Sequence, residues 1–464
     1  MSQWNLPPGL KRPLGFYAHK PWVKLGHPIL LFEHLHRTYG NIAHYRFMGT
    51  PIVFVNDADY IREILVTQAV SFVKERTVRR MKILLGEGLI TSDEPFHMRQ
   101  RRIAAPAFHR QRIAAYASQI VDSATAAANR IVPGQPFDIA AASMELSLEI
   151  VARTLFNVPV DAAIRSINDD VNSIMSIYNF IVAFPRIERF LHLPIPKIAQ
   201  FRRAKIRLDS VVDRLIREHR AAMARGDADD GSLLTMLLSS HIEVLDSAGN
   251  PTGQTESMSD TQVRDEVLTI FLAGYETVAN GLTWTWYLLS QNPEAEAKLH
   301  AELDTVLGNR LPTLADYPNL RYTEQVFAES MRLYPPAWAM GRMSTKPITL
   351  GPWRIPPGAH FFFSQYMMSR TPEHYPNPLH FDPGRFTPEA RAPRHKFAYF
   401  PFGGGSRQCI GESFAWMEGV LSIATLAQRW RFRYADPRPP IPQAKITLRP
   451  RAPLRMTATE RGAP

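Results

Sequence analysis

The spacing of apolar residues predicts a chain that is mostly helical. Between about residues 57 and 335, and again between about 366 and 430, apolar side chains recur every three or four positions, which is the period of one buried face of an α-helix. Strand-like alternation is confined to short runs, among them Ile42–Met48 and Pro51–Val55, which flank a turn at Gly49-Thr50. The pattern therefore predicts a mainly α protein with a small β region, an α+β fold class.

The chain has no internal repeat and no long flexible linker, which predicts a single domain over residues 1–464. Within this domain we expect a β-rich part at about 40–56 and 345–365, a helical part at about 57–335 and 366–430, and strands at about 444–458. The apolar content of 45% and the charged content of 21% are ordinary for a globular protein with a large core.

The longest predicted helix begins at Ser259 and ends before Pro293. Ser259 and Gln262 have the spacing of a capping box, and Pro293 stops the helix. A helix of about 30 residues spans about 45 Å. Its middle, Val267–Leu272, is apolar on all sides, which indicates that it is buried.

Unusual residues follow in the middle of this helix, in the segment Ala273-Gly274-Tyr275-Glu276-Thr277. Glycine within a helix costs about 1 kcal/mol relative to alanine, and burying an unpaired carboxylate costs more. One interpretation is a local bend, in which Thr277 bonds back to the Ala273 carbonyl and Glu276 pairs with a distant arginine. The other is a cavity, in which Gly274 admits a bulky group, Thr277 offers its hydroxyl and Glu276 relays protons.

Cys409 is the only cysteine, so the chain forms no internal disulfide and no metal site of several cysteines. It lies in the glycine-rich segment Phe402–Gly411, directly before the apolar helical pattern Ser413–Arg429. The positive end of a helix dipole lowers the pKa of a thiol, and glycines let a flat ligand approach the backbone. The local sequence leaves two interpretations, a ligand thiolate or a buried core cysteine.

A second charged pair, Glu329 and Arg332, lies at i, i+3 spacing in an apolar helical stretch. The apolar neighbours predict that the pair is buried and needs a third partner. Arg385, which shortly precedes the cysteine segment, is the candidate. We interpret these three residues as structural rather than catalytic.

The net charge of +11 comes from basic residues spread along the whole chain, which argues against nucleic-acid binding. It fits either a basic face for an acidic protein or an ordinary solvated surface. The sequence has neither an apolar run of about 18 residues, as a membrane span needs, nor a signal-peptide pattern. A single cysteine suits a reducing compartment. We expect a cytoplasmic protein with no nucleic-acid partner and no membrane span.

Taken together, these elements resemble the cytochrome P-450 family of haem-thiolate enzymes. The family's motif F-x-x-G-x-R-x-C-x-G is matched by Phe402, Gly405, Arg407, Cys409 and Gly411. Its helix motif A-G-x-[D/E]-T is matched by Ala273 to Thr277, and its E-x-x-R motif by Glu329 and Arg332. One departure is Gly384, which stands before Arg385 where glutamate is common. The three motifs span nearly the length expected of the family.

The resemblance implies haem b as the cofactor, buried between the long central helix and the helix that follows the cysteine segment. Cys409 would be the axial iron ligand, and Phe402 would shield its sulfur. Ala273 and Gly274 would lie against the haem, and Gly405 and Gly411 would shape the cysteine segment. The residues implied for the propionates are Arg407, Arg342, His97 and Arg101. His97 replaces a tryptophan of many relatives, although H-x-x-x-R is a common bacterial form.

The resemblance also implies a monooxygenase that inserts one oxygen atom from O2 into a hydrophobic substrate, such as a fatty acid, terpenoid, steroid or carotenoid. Thr277 would bind dioxygen, and Glu276 would help to deliver protons. Electrons would come from a ferredoxin or flavodoxin with its NAD(P)H reductase. The protein itself is expected to be a monomer. The implied docking face comprises Arg99, Arg102, Arg110, Arg112, Arg394 and Lys396. The alternatives are a haem-thiolate protein that binds or senses a gas, and a peroxide-driven peroxygenase.

The expected substrate pocket is largely apolar. By resemblance, its lining residues are Phe72, Leu84, Leu85, Phe180, Phe184, Ala337, Trp338 and Met340. The stretch 177–196 is expected to cover the pocket, and contact with a membrane surface is the alternative.

Overall fold

A computed structural model describes residues 4–23, 27–158, 164, 167, 170, 171, 173, 174, 193, 195–226, 232–245 and 251–462. The α-helices of this part of the chain are α1 Pro28–Tyr39, α2 Ala58–Arg62, α3 Arg76–Arg80, α4 Lys82–Leu85, α5 Phe96–Ala104, α6 Arg110–Arg130, α7 Ile139–Phe156, α8 Pro196–Ala224, α9 Leu233–Leu238, α10 Asp260–Gln291, α11 Pro293–Val306, α12 Arg321–Leu333, α13 Gln365–Met368, α14 Pro388–Arg391 and α15 Glu412–Arg429. The mainly helical fold class predicted from the apolar spacing is confirmed.

The strands are short, as their sequence pattern predicted. They are β1 Ile42–Phe47, β2 Thr50–Val55, β3 Phe72–Lys74, β4 Phe137–Asp138, β5 His241–Leu245, β6 Pro251–Ser257, β7 Met340–Ser344, β8 Ile348–Leu350, β9 Trp353–Ile355, β10 His360–Phe363, β11 Trp430–Tyr434, β12 Pro442–Ala444, β13 Leu448–Pro450 and β14 Arg455–Glu460. Among the described residues, no helix combines the length and the apolar character that a membrane crossing needs.

The chain forms two compact units. The first unit comprises Met1–Glu75, Ile120–Leu146 and Glu276–Pro464, and the second comprises Arg76–Gln119 and Ser147–Tyr275. Helix α10 contributes its N-terminal half to the second unit and its C-terminal half to the first. The expectation of a single domain over residues 1–464 stays a prediction.

A five-stranded sheet in the first unit has the order β1-β2-β10-β7-β3. Strand β10 runs parallel to β2 and antiparallel to β7. Buried side chains of β2 and β10, among them Val53, Phe361 and Phe363, belong to one apolar core cluster. Within this sheet Arg342 of β7 lies opposite Phe361 of β10 and Lys74 of β3. The sheet thereby carries a charged side chain on a buried strand.

The β1–β2 hairpin differs by one residue from its predicted turn. Phe47 pairs with Thr50, so the two turn residues are Met48 and Gly49 rather than Gly49 and Thr50. Both have positive φ, at 50° and 81°. A two-residue hairpin turn of this kind needs left-handed backbone at both positions, and glycine at the second position meets this need at least cost.

Several strands lie inside the stretch that was predicted to be mostly helical. Strand β3 pairs with β7, and β4 pairs with β14. Each of these two strands is only two or three residues long and gains its hydrogen bonds from a partner far away in sequence. Periodicity within a short window does not detect such a pairing.

The predicted N-terminus of the long helix is confirmed. The Ser259 N–H donates to Gln262 Oε1 over 2.8 Å, and the Gln262 N–H donates to Ser259 Oγ over 3.3 Å. These two bonds are the reciprocal pair of a capping box, and α10 begins directly after Ser259. The next helix, α11, begins at Pro293.

The phenyl ring of Phe327 on α12 packs closely against two other helices of the first unit. A Cβ added at Gly419 of α15 would lie 2.2 Å from its Cε1 atom, and one at Gly281 of α10 would lie 2.9 Å from its Cε2 atom. The indole of Trp416 meets the same ring edge-on, with 5.6 Å between centroids. Only glycine leaves room for the ring at these two positions, so this packing holds α15 against the C-terminal half of α10.

In the second unit, two neighbouring carboxylates of α10 hold the segment that follows α4. The Glu87 N–H donates to Asp265 Oδ2 over 2.8 Å, and the Leu89 N–H donates to Glu266 Oε2 over 3.1 Å. Burial raises the pKa of Glu266 to about 8; the Leu89 N–H opposes this rise and the Asp265 charge adds to it. Glu266 is therefore mostly protonated at neutral pH.

This pKa makes the stability of the protein depend on pH. A carboxyl whose pKa rises from 4.5 to about 8 on folding binds a proton that the unfolded chain releases. The contribution of Glu266 to the free energy of unfolding is therefore greatest below pH 4.5 and is lost as the pH rises through 8. Replacing Glu266 by Gln removes this loss. We expect Glu266→Gln to be more stable than the wild type by about 1 to 4 kcal/mol at about pH 9 and to lose that advantage at about pH 5.

Thermal denaturation midpoints measured across this pH range check the expectation. Glu87→Gln, which changes an exposed carboxylate of the same segment, is the matched control and should follow the wild type. The same pH dependence in Glu266→Gln and the wild type would contradict the assignment of a buried protonated carboxyl.

Candidate active site

The backbone of the segment before α15 presents the only cysteine. Gly405 has a φ of 70°, and a Cβ at this position would come within 2.0 Å of the Leu65 carbonyl oxygen, so only glycine fits. The Cys409 N–H donates to the Phe402 carbonyl over 2.9 Å and closes the segment into a tight loop. Gly411 then serves as the N-cap residue of α15.

Cys409 is exposed, which contradicts the interpretation of a buried core cysteine. It lies three residues before the first residue of α15, close to the positive end of the helix dipole. The Phe402 ring lies beside the same segment and is held by Trp416, with 5.7 Å between the centroids. The loop therefore presents an accessible thiol in a segment whose ends are joined by a backbone hydrogen bond.

Arg342 and Arg407, both in the first unit, lie close enough for the charge of Arg407 to affect the pKa of Arg342. Arg342 on β7 is buried, and its Nη1 donates to the Gly341 carbonyl over 2.9 Å. Burial lowers the pKa of Arg342 to about 10, and the positive charge of Arg407 adds to this effect. The carboxylate of Glu75, which is also buried, acts in the opposite direction. This electrostatic arrangement favours binding of further negative charge.

These residues fit a flat, dianionic, iron-bearing cofactor. An exposed thiol at a helix N-terminus suits an iron ligand, and a buried arginine beside a second arginine suits a pair of carboxylates. Glu75 was not among the residues predicted for the site, because its only sequence signal is a carboxylate directly after the short strand β3.

His97 and Arg101 lie one turn apart on α5 in the second unit, on one face of this helix. His97 is buried, and its Nδ1 lies 2.9 Å from Glu94 Oε1. The Glu94 carboxylate orients the imidazole ring of His97. Their predicted role as propionate ligands stays a prediction.

The central motif of α10 interrupts a buried helix with partly exposed residues. Ala273, Gly274 and Thr277 are half-buried, whereas Tyr275 and Glu276 are buried. Ala273 and Thr277 are four residues apart and share one helix face. A Cβ at Gly274 would lie 3.1 Å from Val151 Cγ2, so the glycine provides clearance for α7.

Glu276 has the distant arginine partner that the bend interpretation anticipated. Its Oε1 accepts hydrogen bonds from the Thr447 hydroxyl over 2.5 Å and from Arg449 Nη2 over 2.9 Å. Asn280 Nδ2 donates to the Glu276 carbonyl over 2.9 Å and to Thr447 Oγ1 over 3.3 Å. The sequence analysis missed these three partners. The one available signal was a charged side chain at 449, next to the buried strand residue Leu448.

Glu329 and Arg332 form a fully buried ion pair, with 2.6 Å between Glu329 Oε2 and Arg332 Nε. Arg385 Nε lies 3.6 Å from Glu329 Oε1, which also accepts from the Asp382 N–H over 2.9 Å. Burial raises the pKa of Glu329, and the bond from Arg332 opposes this rise.

Arg332 also donates to three backbone carbonyls, those of Ser369, Pro378 and His380. All three belong to the irregular segment that precedes the cysteine loop. Every donor that carries the charge is therefore occupied within the interior, which is the condition for burying an arginine.

Of the described residues that were expected to line the substrate pocket, some lie in apolar cores and others are only partly buried. Phe72 packs edge-on against Phe361 in the sheet core, at 5.3 Å between centroids. Trp338 is buried in a second core cluster and donates from Nε1 to the Lys445 carbonyl over 2.7 Å. Ala337 and Met340 are half-buried, and Leu84 and Leu85 are buried. Phe180 and Phe184, with most of 177–196, lie outside the described residues.

Comparison with known proteins identifies the family. The family model described as cytochrome P-450 matches residues 7–457. Cyclooctatin synthase of Streptomyces melanosporofaciens is 37% identical over 425 residues, which cover 90% of this chain and 88% of the relative. Cyclooctat-9-en-7-ol 5-monooxygenase of the same organism is 34% identical, with 91% and 86% covered. Pentalenene oxygenase of Streptomyces avermitilis is 31% identical, with 95% of each chain covered.

A solved structure shows the same fold. The crystal structure of the cytochrome P450DA haem domain superposes with a TM-score of 0.84 at 22% identity and covers 99% of each chain. The family match therefore places the chain in the class of the haem-containing oxidoreductases. The chain belongs to the cytochrome P-450 family and is a monooxygenase. Its cofactor is haem b, and its reaction uses O2, a hydrophobic substrate and electrons from a redox partner.

The buried ion pair generates a stability prediction. Arg332→Ala leaves the Glu329 carboxylate buried without its main partner and frees three backbone carbonyls, so we expect a loss of about 3–5 kcal/mol. Arg429→Ala removes an exposed pair with Glu460 and should cost about 0–1 kcal/mol. Urea denaturation followed by tryptophan fluorescence measures both. Equal losses in the two variants would contradict a structural role for the buried pair.

Proposed function

We propose that this chain inserts one oxygen atom from O2 into a cyclic terpenoid. The observation that carries this proposal is the agreement among three relatives that each cover most of the chain. Two are named for cyclooctatin chemistry and one for pentalenene, and they are 31–37% identical to it. Cyclooctat-9-en-7-ol and pentalenene are polycyclic terpenoids, whereas no fatty acid or steroid appears among these names. The residues expected to line the pocket are apolar, which suits such a guest.

We assign the haem site to the loop before α15 and to the C-terminal half of α10. Haem b, when bound, supplies the activation of O2 and the transfer of oxygen to carbon. Cys409 would ligate the haem iron, and Phe402 would lie beside its sulfur. Arg342 and Arg407 are the proposed partners of the propionates. The lowered pKa of Arg342 supports this assignment, because a nearby anion would relieve the cost of burying its charge.

Thr277 and Glu276 are the proposed proton carriers. The hydroxyl of Thr277 is on the partly exposed face of α10 and can give its proton to a reacting oxygen. The carboxylate of Glu276 is on another face of the helix, about 100° away, and is linked to the C-terminal hairpin. Glu276 Oε2 takes up a proton from solvent and restores the one that Thr277 releases.

Two variants test this assignment. Cys409→Ser should lose the absorption spectrum of a thiolate-ligated haem in the reduced, carbon monoxide-bound state. Thr277→Ala should keep that spectrum but form about 10-fold less terpenoid product per electron pair, because reducing equivalents end up in hydrogen peroxide. Absorption spectra, product yield and peroxide yield are the measurements.

Each alternative outcome would favour a different function for this chain. Full coupling in Thr277→Ala would exclude the proton role. Turnover of the wild type with hydrogen peroxide alone, at the rate seen with O2 and electrons, would favour the peroxygenase. Carbon monoxide binding without oxidation of any terpenoid would favour gas sensing.

We further propose that the electron donor is an acidic ferredoxin or flavodoxin. Arg102, Arg110 and Arg112 are exposed in the second unit, and the chain carries a net charge of +11. Arg394 does not fit the docking face that the sequence predicted. Its guanidinium lies 4.6 Å from the ring centroid of Tyr375 and donates to the Arg385 carbonyl, so it is committed within the first unit. The expected cytoplasmic location stays a prediction.

The rate of reduction should therefore fall with ionic strength. Between about 0.05 and 0.5 M salt we expect at least a several-fold decrease, because screening removes the attraction between the partners. Arg110→Glu should lower the rate at low salt, whereas Arg438→Glu, at an exposed site near the C-terminal strands, should not. A rate independent of salt would contradict the basic docking face.

A further inference from the structure

We propose that Arg449, together with Thr447, is the positioning residue that makes Glu276 a proton carrier in this enzyme. This inference rests on the proposed function, because it concerns the proton path assigned above. It goes further by naming a side chain outside the three family motifs, 40 positions after the cysteine.

The geometry at Glu276 distinguishes its two oxygens. Both side-chain donors, the Thr447 hydroxyl and Arg449 Nη2, reach the same oxygen, Oε1. The carboxylate is therefore held in one orientation with one oxygen engaged. Oε2 is left to take up a proton and to pass it on. A carboxylate bound through both oxygens would have no such position.

The charged neighbours of Glu276 hold its carboxylate against the hairpin. Arg449 is its ion-pair partner, and the side chains of Arg449 and Glu276 are largely buried, at 17% and 10% exposure. Lys445 of the same hairpin is also close: burial lowers the pKa of Lys445, the charge of Arg449 lowers it further, and Glu276 opposes both. A charge-assisted hydrogen bond in a largely buried site fixes the orientation of a carboxylate more firmly than a neutral one.

The hairpin that carries Arg449 is anchored to the first unit by its backbone. Trp284 Nε1 of α10 donates to the Leu448 carbonyl over 3.0 Å, and the Leu448 N–H donates to the Pro336 carbonyl over 2.9 Å. Trp338 Nε1 donates to the Lys445 carbonyl over 2.7 Å. Arg449 is thus fixed relative to the helix that holds Glu276, as a positioning role requires.

The test uses Arg449→Gln and Arg449→Lys in the holoenzyme, with Arg451→Ala as the control on the same hairpin. Arg451 is exposed. Removing the guanidinium should reduce the product formed per electron pair by about 10-fold, because the carboxylate loses its fixed orientation, and lysine should restore part of the loss. An infrared difference spectrum, wild type minus Glu276→Gln, reports the hydrogen bonding of this carboxylate without turnover. The carboxylate bands of the same difference should shift in the Arg449→Gln background and stay in place in the Arg451→Ala background.

The outcomes separate this inference from the proposed function. If Glu276→Gln itself leaves coupling unchanged, the proton path of the proposed function is wrong. If Glu276→Gln lowers coupling but Arg449→Gln changes neither the carboxylate bands nor coupling, only the inference about Arg449 is overturned. If Arg449→Gln still changes coupling in the Glu276→Gln background, Arg449 acts elsewhere. Haem loading and the denaturation midpoint are compared first, and Arg449→Lys serves if Arg449→Gln does not fold.

Discussion

The burial of one complete ion pair is the constraint on which the first unit depends. Arg332 and Glu329 are both fully inaccessible to solvent. The free energy lost by dehydrating them is recovered only if each donor and acceptor finds a partner inside. Arg332 therefore donates to the carbonyls of Ser369, Pro378 and His380, and Glu329 accepts from the N–H of Asp382. All of these backbone groups bind to side chains of a single helix turn. The irregular chain before the cysteine loop is thereby held without regular secondary structure.

The same principle of compensated charge recurs at the candidate cofactor site. Arg342 is buried on a strand, and its pKa is lowered because its charge has lost hydration and lies near Arg407. Glu75 offsets part of this cost. In contrast to Arg332, whose partners all come from the protein, Arg342 is arranged as if further negative charge were to come from a ligand. The cost of burying the charge of Arg332 is thus offset by protein groups, whereas that of Arg342 is offset only in part by Glu75.

At Glu276 the two interpretations of the central helix motif turn out to be compatible. The bend interpretation required a distant arginine, and Arg449 is that partner. The cavity interpretation required a face that is open to a ligand, and Ala273 and Thr277, which share one helix face, are partly exposed in the middle of the helix, whereas Gly274 makes room for α7. An ion pair that was expected to make the carboxylate merely structural is, in our proposal, what orients it for proton transfer.

Local pattern in the sequence was sufficient for the helical fold class, the capping box at Ser259, the pairing of Glu329 with Arg332 and the choice of Cys409 as the residue of interest. Each depends on residues within about one or two helical turns, where the backbone geometry fixes which side chains meet. Strand β3, the core position of Phe72, the Glu75 carboxylate beside Arg342 and the bond from Arg449 to Glu276 were decided only by tertiary structure. In every one of these the partners come from distant parts of the chain, and no periodicity along the sequence records which distant segments will pack together.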